Sequence, residues 1–275
     1  MTCAWKELLA IIPAWMRQDV DRMGRESLQE LRLRINAPPE LVFTGQQKWL
    51  AGNVSRDDLN YCINAASRYS PWNAATASRG YITAPGGHRI GLCGEVVCHE
   101  GKPSGIRNVT SLCIRVARDF LGIGNKAIPY AGSVLIIGAP GWGKSTLLRD
   151  LSRMIAEEKC VSVVDERGEL FPQGFLRGKR MDVLSGCPKT YGISMALRTM
   201  GPGYIAVDEI TEKEDCDALV RAANCGVHLL AAAHAGSVRD YQTRSVYRSL
   251  AEQEIFETIL VLKPDKTYTV ERMTA

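Results

Sequence analysis

The chain has 275 residues, 45% of them hydrophobic and 23% charged, with a formal net charge of +4. This composition suits a globular chain of one large or two ordinary domains and excludes a disordered or fibrous one. No uninterrupted apolar run reaches the roughly 18 residues that suggest a membrane span, and the N-terminus lacks a basic region followed by a signal core, so a cytoplasmic protein is expected.

The charge excess belongs to residues 1–120, with 15 Lys plus Arg against 11 Asp plus Glu, while residues 121–275 hold 19 of each. That makes the first part a candidate for phosphate contact across a subunit boundary or for contact with an acidic surface, yet it is too small to mark a nucleic-acid binder. Nine cysteines without a C-x-x-C pair predict buried, reduced thiols. Cys93, Cys98 and His99 lack an evident fourth ligand for zinc.

In chain order, Leu31, Leu33 and Ile35 alternate with Arg32 and Arg34, the chain breaks at Pro38-Pro39, and an apolar run resumes from Leu41 to Phe43. Two strands around a proline turn are predicted. Ser55 then caps a predicted helix with acids at 57 and 58 and with Leu59, Cys62, Ile63 and Ala66 on one face. Pro85-Gly86-Gly87 separates two extended runs, and Leu112, Ile114 and Val116 alternate with Cys113, Arg115 and Ala117. Residues 1–120 therefore read as a small α+β domain, residues 121–132 as a linker, and residues 133–275 as a second domain. There, apolar strands are expected at 134–137, 161–164, 204–207, 229–233 and 258–262 in a mostly parallel sheet, ending in a hairpin that turns at Pro264-Asp265-Lys266.

The stretch "VLIIGAPGWGKSTLLRD" carries the most chemistry. A strand enters a G-x-x-x-x-G-K-S turn, and a helix with Leu147, Leu148, Leu151, Met154 and Ile155 at helical spacing leaves it. Such a turn converges backbone N–H groups on phosphates at the positive end of the helix. Gly138, Ala139, Pro140, Gly141, Trp142, Gly143, Lys144, Ser145 and Thr146 form the expected ATP-binding segment. Lys144 would reach the β and γ phosphates, and Ser145 would ligate Mg²⁺.

Two later strands end in acids, "VSVVDERGE" at Asp165-Glu166 and "YIAVDEI" at Asp208-Glu209. Asp208 is the expected metal-side carboxylate, and either Glu166 or Glu209 could polarise the attacking water. A plainer alternative makes Asp208 a helix cap with Glu209 and Glu212 favouring the helix dipole. In "GVHLLAAAH", His228 and His234 are six apart and can face one side of a strand, with His234 placed to sense a γ phosphate. Arg177, Lys179 and Arg180 in "FLRGKR" read as a solvated loop or, alternatively, as contacts of a nucleic-acid-stimulated translocase.

The phosphate loop, "VVDERGE", "PGYIAVDEI" and "GVHLLAAAH" resemble, in order and spacing, the phosphate loop, acidic box, metal-carboxylate strand and histidine box of the type II/type IV secretion ATPase superfamily. "ELRLRI", "YITAPGGHRIGLCGEVV", "SLCIRVAR" and "VDERGEL" resemble the stage III sporulation AA family within it, over nearly the whole chain. The resemblance implies an α/β fold, a RecA-like P-loop ATPase core with a smaller N-terminal α+β domain, and ATP with Mg²⁺. It maps the acidic box to Asp165, Glu166 and Glu169, with Glu166 polarising water. It also implies a hexameric homo-oligomer in which N-terminal arginines (Arg89, Arg107, Arg115 and Arg118 are the candidates) serve a neighbour's site. A membrane protein of a sporulation channel, met at the cytoplasmic face of a membrane on the mother-cell side, would be the partner, and nucleic acid would not. Asp208-Glu209 stands where the secretion motors more often have glycine and glutamate, and their four-cysteine zinc insertion is absent. A nucleotide-binding scaffold is the non-enzymatic alternative.

Overall fold

The protein is described by a computed structural model over residues 2–68, 80–99, 102–127, 132–172 and 174–273. It divides into two compact units, Met1–Asp119 with Pro172–Phe175, and Phe120–Phe171 with Leu176–Ala275. Of the expected linker, residues 128–131 lie outside the described residues.

The first unit opens with two helices that the sequence reading did not anticipate, α1 (Trp5–Ala10) and α2 (Ala14–Gly24). They bury Leu8, Met16 and Val20. Strands β1 (Glu30–Arg34) and β2 (Glu40–Phe43) flank the proline turn, followed by the fully exposed β3 (Gln46–Trp49). Helix α3 (Arg56–Ala66) begins on a reciprocal cap in which Ser55 Oγ accepts from the Asp58 amide at 3.1 Å and the Asp58 carboxylate accepts from the Ser55 amide at 2.8 Å. Strands β4 (Tyr81–Thr83), β5 (Arg89–His99) and β6 (Lys102–Arg115) complete an antiparallel sheet in the order β3-β2-β1-β6-β5-β4. The alternation read at Leu31 and Leu33 turns those side chains into a core with Leu59, Cys62, Ile90, Leu112 and Ile114, leaving the arginines between them half-exposed.

The second unit holds β7 (Val134–Ile137), α4 (Lys144–Ile155), β8 (Val161–Asp165), β9 (Met181–Ser185), α5 (Lys189–Thr199), β10 (Tyr204–Ile210) and α6 (Lys213–Asn224). It continues through β11 (His228–Ala233), α7 (Val238–Thr243), α8 (Arg248–Glu252), β12 (Thr258–Leu262) and β13 (Tyr268–Arg272). The sheet runs β13-β12-β7-β11-β10-β8-β9, parallel except for the β12–β13 hairpin. Both faces are covered, because Leu135, Ile137 and Ala231 enter one core and Val134, Ile136 and Ala232 another. Apolar residues at every position of β7, and at most positions of β8, are the consequence. Helix α5 lies close on β8: a Cβ on Gly192 would meet a Val164 methyl at 2.5 Å.

The expectation of mostly buried thiols is corrected. All nine cysteines are free, but only Cys62 and Cys216 are buried, while Cys93, Cys98, Cys160 and Cys225 are exposed at strand ends, turns and an antiparallel ribbon. Among the described residues no helix is long and apolar enough to cross a membrane, and no group of three or more His, Cys, Asp or Glu could hold a metal ion, Cys93, Cys98 and His99 included.

Candidate functional site

Parallel strands place all their carboxyl ends on one edge of the sheet, so the turns after β7, β11, β10 and β8 emerge side by side. The turn after β7 is the glycine loop. Gly141 (φ 78°) and Gly143 (φ 102°) take backbone torsions that other residues resist, and α4 starts immediately after Gly143 with no side-chain cap. Its first-turn amides are therefore available to an anion at the positive end of the helix.

Lys144 lies tucked under this loop. Its Nζ donates to the carbonyls of Gly138 at 3.0 Å and Ala139 at 3.1 Å, and it stands 2.9 Å from His234 Nδ1. An ammonium only donates, so Nδ1 is the acceptor and the imidazole proton resides on Nε2. Nε2 in turn contacts Glu209 Oε1. Lys144, His234 and Glu209 thus form one chain of polar contacts. Burial lowers the Lys144 pKa from its ordinary value, with Glu209 and Asp208 acting in the opposite direction.

Ser145 Oγ donates to Asp208 Oδ1 at 3.0 Å. Burial raises the Asp208 pKa from its ordinary value, and the Ser145 hydrogen bond holds it down in part. In a regular strand Asp208 and Glu209 would point to opposite faces. Here the pairing of β10 with β11 slips between Val207 and Glu209, so Asp208 is an extra residue in the ladder. Such a bulge re-aims side chains, and both carboxylates line one cavity with Glu166, Arg167 and Lys189. The alternative in which Asp208 caps the following helix is not realised: β10 continues to Ile210, and α6 is capped by Glu212.

The acidic turn after β8 divides its labour. Asp165 faces inward, accepting the backbone amides of Glu169 at 2.8 Å, Leu170 at 2.9 Å and Phe171 at 3.0 Å. Arg149 of α4 donates to the Glu169 carbonyl at 2.8 Å and to that of Leu170. Glu166 points into the cavity, where Lys189 Nζ meets Oε2 at 2.8 Å. Of the mapped acidic box, only Glu166 lines the cavity.

Of the two histidines that bracket β11, only His234 lies beside the loop. His228 opens β11 and His234 follows its end, so a rise of about 3.3 Å per residue puts them about 20 Å apart. His228 packs against Tyr204 in a tilted pair, with ring centroids 5.0 Å apart and planes at 31°. The basic run is engaged locally, Lys179 with Glu157 at 3.1 Å and Arg180 with the Glu158 carbonyl at 2.8 Å. The four N-terminal arginines also have partners within their own unit. Arg89 lies over the Tyr81 ring, Arg107 pairs with Glu95, Arg115 with Glu30, and Arg118 donates to the carbonyls of Gly24, Arg25 and Leu28.

Two features escaped the sequence reading. One is Lys189, which a lone lysine after Pro188 does not announce. The other is a mostly apolar cavity of about 260 Å³ beside the loop, where Trp142 and Thr146 are joined by Phe120, Ile123, Leu262 and Tyr268. Its walls come from separate segments of the chain, and no local pattern links them.

The chain matches the family "Sporulation stage III, protein AA" over residues 5–271. It is 36% identical over 282 residues to the stage III sporulation protein AA of Bacillus subtilis (strain 168), covering 94% of this chain and 91% of that protein. Among solved structures it resembles the Legionella pneumophila ATPase DotB (TM-score 0.61, 19% identity, 95% of this chain and 80% of that one). The pilus retraction motor PilT with bound ADP is similar too, at a TM-score of 0.65 and 15% identity, covering 92% of this chain and 79% of that one. These last two likenesses establish the RecA-like P-loop ATPase fold. The chain belongs to the stage III sporulation protein AA family.

Proposed function

We propose that this chain is a Mg²⁺-dependent ATPase that energises a secretion-like sporulation channel. The observation that carries the reading is the hydrogen bond from Ser145 of the loop to Asp208 of β10, at the rim of a cavity that Glu166 and Glu209 also line. Ser145 and Asp208 offer the hard oxygen donors that suit Mg²⁺. When bound, the ion would supply charge neutralisation at the β and γ phosphate oxygens. Lys144 would exchange its loop carbonyls for those phosphates, and the uncapped amides of α4 would hold the remaining charge. The apolar cavity beside the loop suits the adenine ring.

In the reaction a water oxygen bonds to the γ-phosphorus while the bond to the β–γ bridging oxygen breaks, its electron pair leaving with ADP. The water proton passes to Glu166. Glu209, in contact with His234 and through it with Lys144, senses whether the lysine has turned to a phosphate. The nucleic-acid-stimulated alternative loses support from the local partners of Lys179 and Arg180. As the family resemblance implies, the active form would be a hexameric ring at the cytoplasmic face of a membrane, joined to a membrane protein of the channel. Arg107, whose ion pair with Glu95 is exposed on both sides and so of little net worth, is the N-terminal arginine most readily redirected to a neighbour's site.

The test is ATP turnover by the purified chain over a range of protein concentrations, with and without Mg²⁺. Lys144→Ala should lower turnover by about 100-fold or more, the usual scale for one lost transition-state cation or donor. Turnover unchanged in that variant would defeat the assignment.

A further inference from the structure

Lys189 is placed against its own helix. It is the first residue of α5, where the helix dipole disfavours a cation, and its side chain is only 9% exposed. Both costs are offset by two carboxylates: Glu166 Oε2 at 2.8 Å and Asp215 Oδ2 at 3.4 Å. Burial alone would lower the lysine's pKa, but Glu166 and Asp215 together hold it above the ordinary value. Asp215 is itself fixed, accepting the Thr211 amide at 3.0 Å, the Thr211 hydroxyl at 3.3 Å and the Glu212 amide at 3.3 Å. Those residues form the turn that follows Asp208 and Glu209 on β10.

One ammonium therefore ties the turn after β8 to the turn after β10. The close approach of Gly192 to Val164 fixes the base of that tie by holding α5 on β8. We propose that Lys189 is a positioning residue for hydrolysis: by engaging Glu166 Oε2 while anchored on Asp215, it presents the other carboxylate oxygen of Glu166 to the attacking water. The inference rests on the ATPase reading above and adds to it the device that sets the distance between Glu166 and the pair Asp208 and Glu209. Glu166 takes up the water proton as the oxygen bonds to phosphorus, and Lys189 keeps its own proton throughout.

The experiment compares wild type, Lys189→Met, Lys189→Arg and Glu166→Gln with the double variant that combines Lys189→Met and Glu166→Gln. It measures kcat and KM for Mg²⁺-ATP, binding of a fluorescent ATP analogue, and thermal stability. Loss of positioning should lower kcat by about 30- to 100-fold with KM within about threefold, the effect of roughly 1 Å of misplacement. Lys189→Arg should recover most of the loss. In the Glu166→Gln background the same Lys189→Met change should alter kcat less than about threefold, since residues that act as a unit are non-additive.

Should Lys189→Met fold poorly, Asp215→Asn removes the anchoring charge while keeping an oxygen for the Thr211 and Glu212 amides, and should show the same pattern at smaller size. Wild-type kcat in Lys189→Met, or a full multiplicative loss on top of Glu166→Gln, would overturn the positioning role. A silent wild type, equal to Lys144→Ala, would overturn the ATPase reading and this role with it, and needs no Lys189 variant to be recognised.

Discussion

Asp165 tests whether an acidic residue at a strand end serves chemistry or the fold. Its carboxylate accepts three amides, those of Glu169, Leu170 and Phe171, and the last two residues are buried. Asp165→Asn keeps one acceptor oxygen. Turned toward Leu170 and Phe171, the new amide sets its NH₂ against the Glu169 amide, so at least one donor loses its partner. An unsatisfied buried donor costs about 1–3 kcal/mol, and the turn it loosens also supplies the Glu169 and Leu170 carbonyls to buried Arg149. We expect a loss of about 2 kcal/mol, which for a domain of this size lowers Tm by about 4–8 °C. Asp165→Ala, which frees all three amides, should cost about twice that. The assay is thermal unfolding of the full chain beside ATP-analogue binding and turnover measured well below the transition. Turnover per folded molecule should stay within about threefold of wild type, since Asp165 does not line the cavity. An Asp165→Asn variant with unchanged Tm and abolished turnover would refute the reasoning and return Asp165 to the active machinery.

Two further outcomes follow from burial. His88 is fully buried, with Nδ1 accepting the Ala117 amide at 3.1 Å and Nε2 contacting the Ala4 carbonyl at 2.9 Å, an arrangement that suits the neutral ring. Burial lowers its pKa, partly offset by the Ala4 hydrogen bond and Glu7, so below about pH 6.5 the unfolded chain binds a proton that the folded chain refuses. Stability should be full above that pH and fall as pH drops toward the folded-state value; urea unfolding between neutral pH and mild acid reads the slope, and a slope kept unchanged in His88→Gln would sink the assignment. Thiol titration in the native state should label the exposed Cys93, Cys98, Cys160 and Cys225 quickly, whereas Cys62 and Cys216, buried and pushed up to about 12, should react only on unfolding. Rapid native labelling of either buried thiol would contradict the packing around it.

The legibility of the fold tracked burial. Strands β7 and β8 are enclosed on both faces and spell themselves as Val134–Ile137 and Val161–Val164, while β1 has one buried face and reads as an alternation. The strands the sequence concealed are at sheet edges: β3 is exposed throughout and β9 lacks a fully buried residue, so burial imposes only a weak pattern on β9 and none on β3. Helices α1 and α2 were missed for another reason. Their apolar residues straddle Pro13, which divides the run, and α1 is too short, at six residues, to show a period of its own.

The site was legible where its chemistry is carried by adjacent residues and obscure where it depends on the third dimension. Glycine spacing and the following helix announce the loop, but the histidines at 228 and 234 show that a shared face is not a shared place, since one strand separates them end to end. Sequence also left Glu166 and Glu209 as competitors. Their partners support a division between them. Glu209 is linked through His234 to Lys144, and its neighbour Asp208 is linked to Ser145, so the bulged end of β10 communicates with the loop by two routes. Glu166 is tied instead through Lys189 to Asp215 at the start of α6. A carboxylate whose partner must move when phosphate arrives is suited to sensing. On the reading proposed above, Glu166, held by a lysine outside the loop, would keep its place when Lys144 turns to phosphate, as a water-polarising group must.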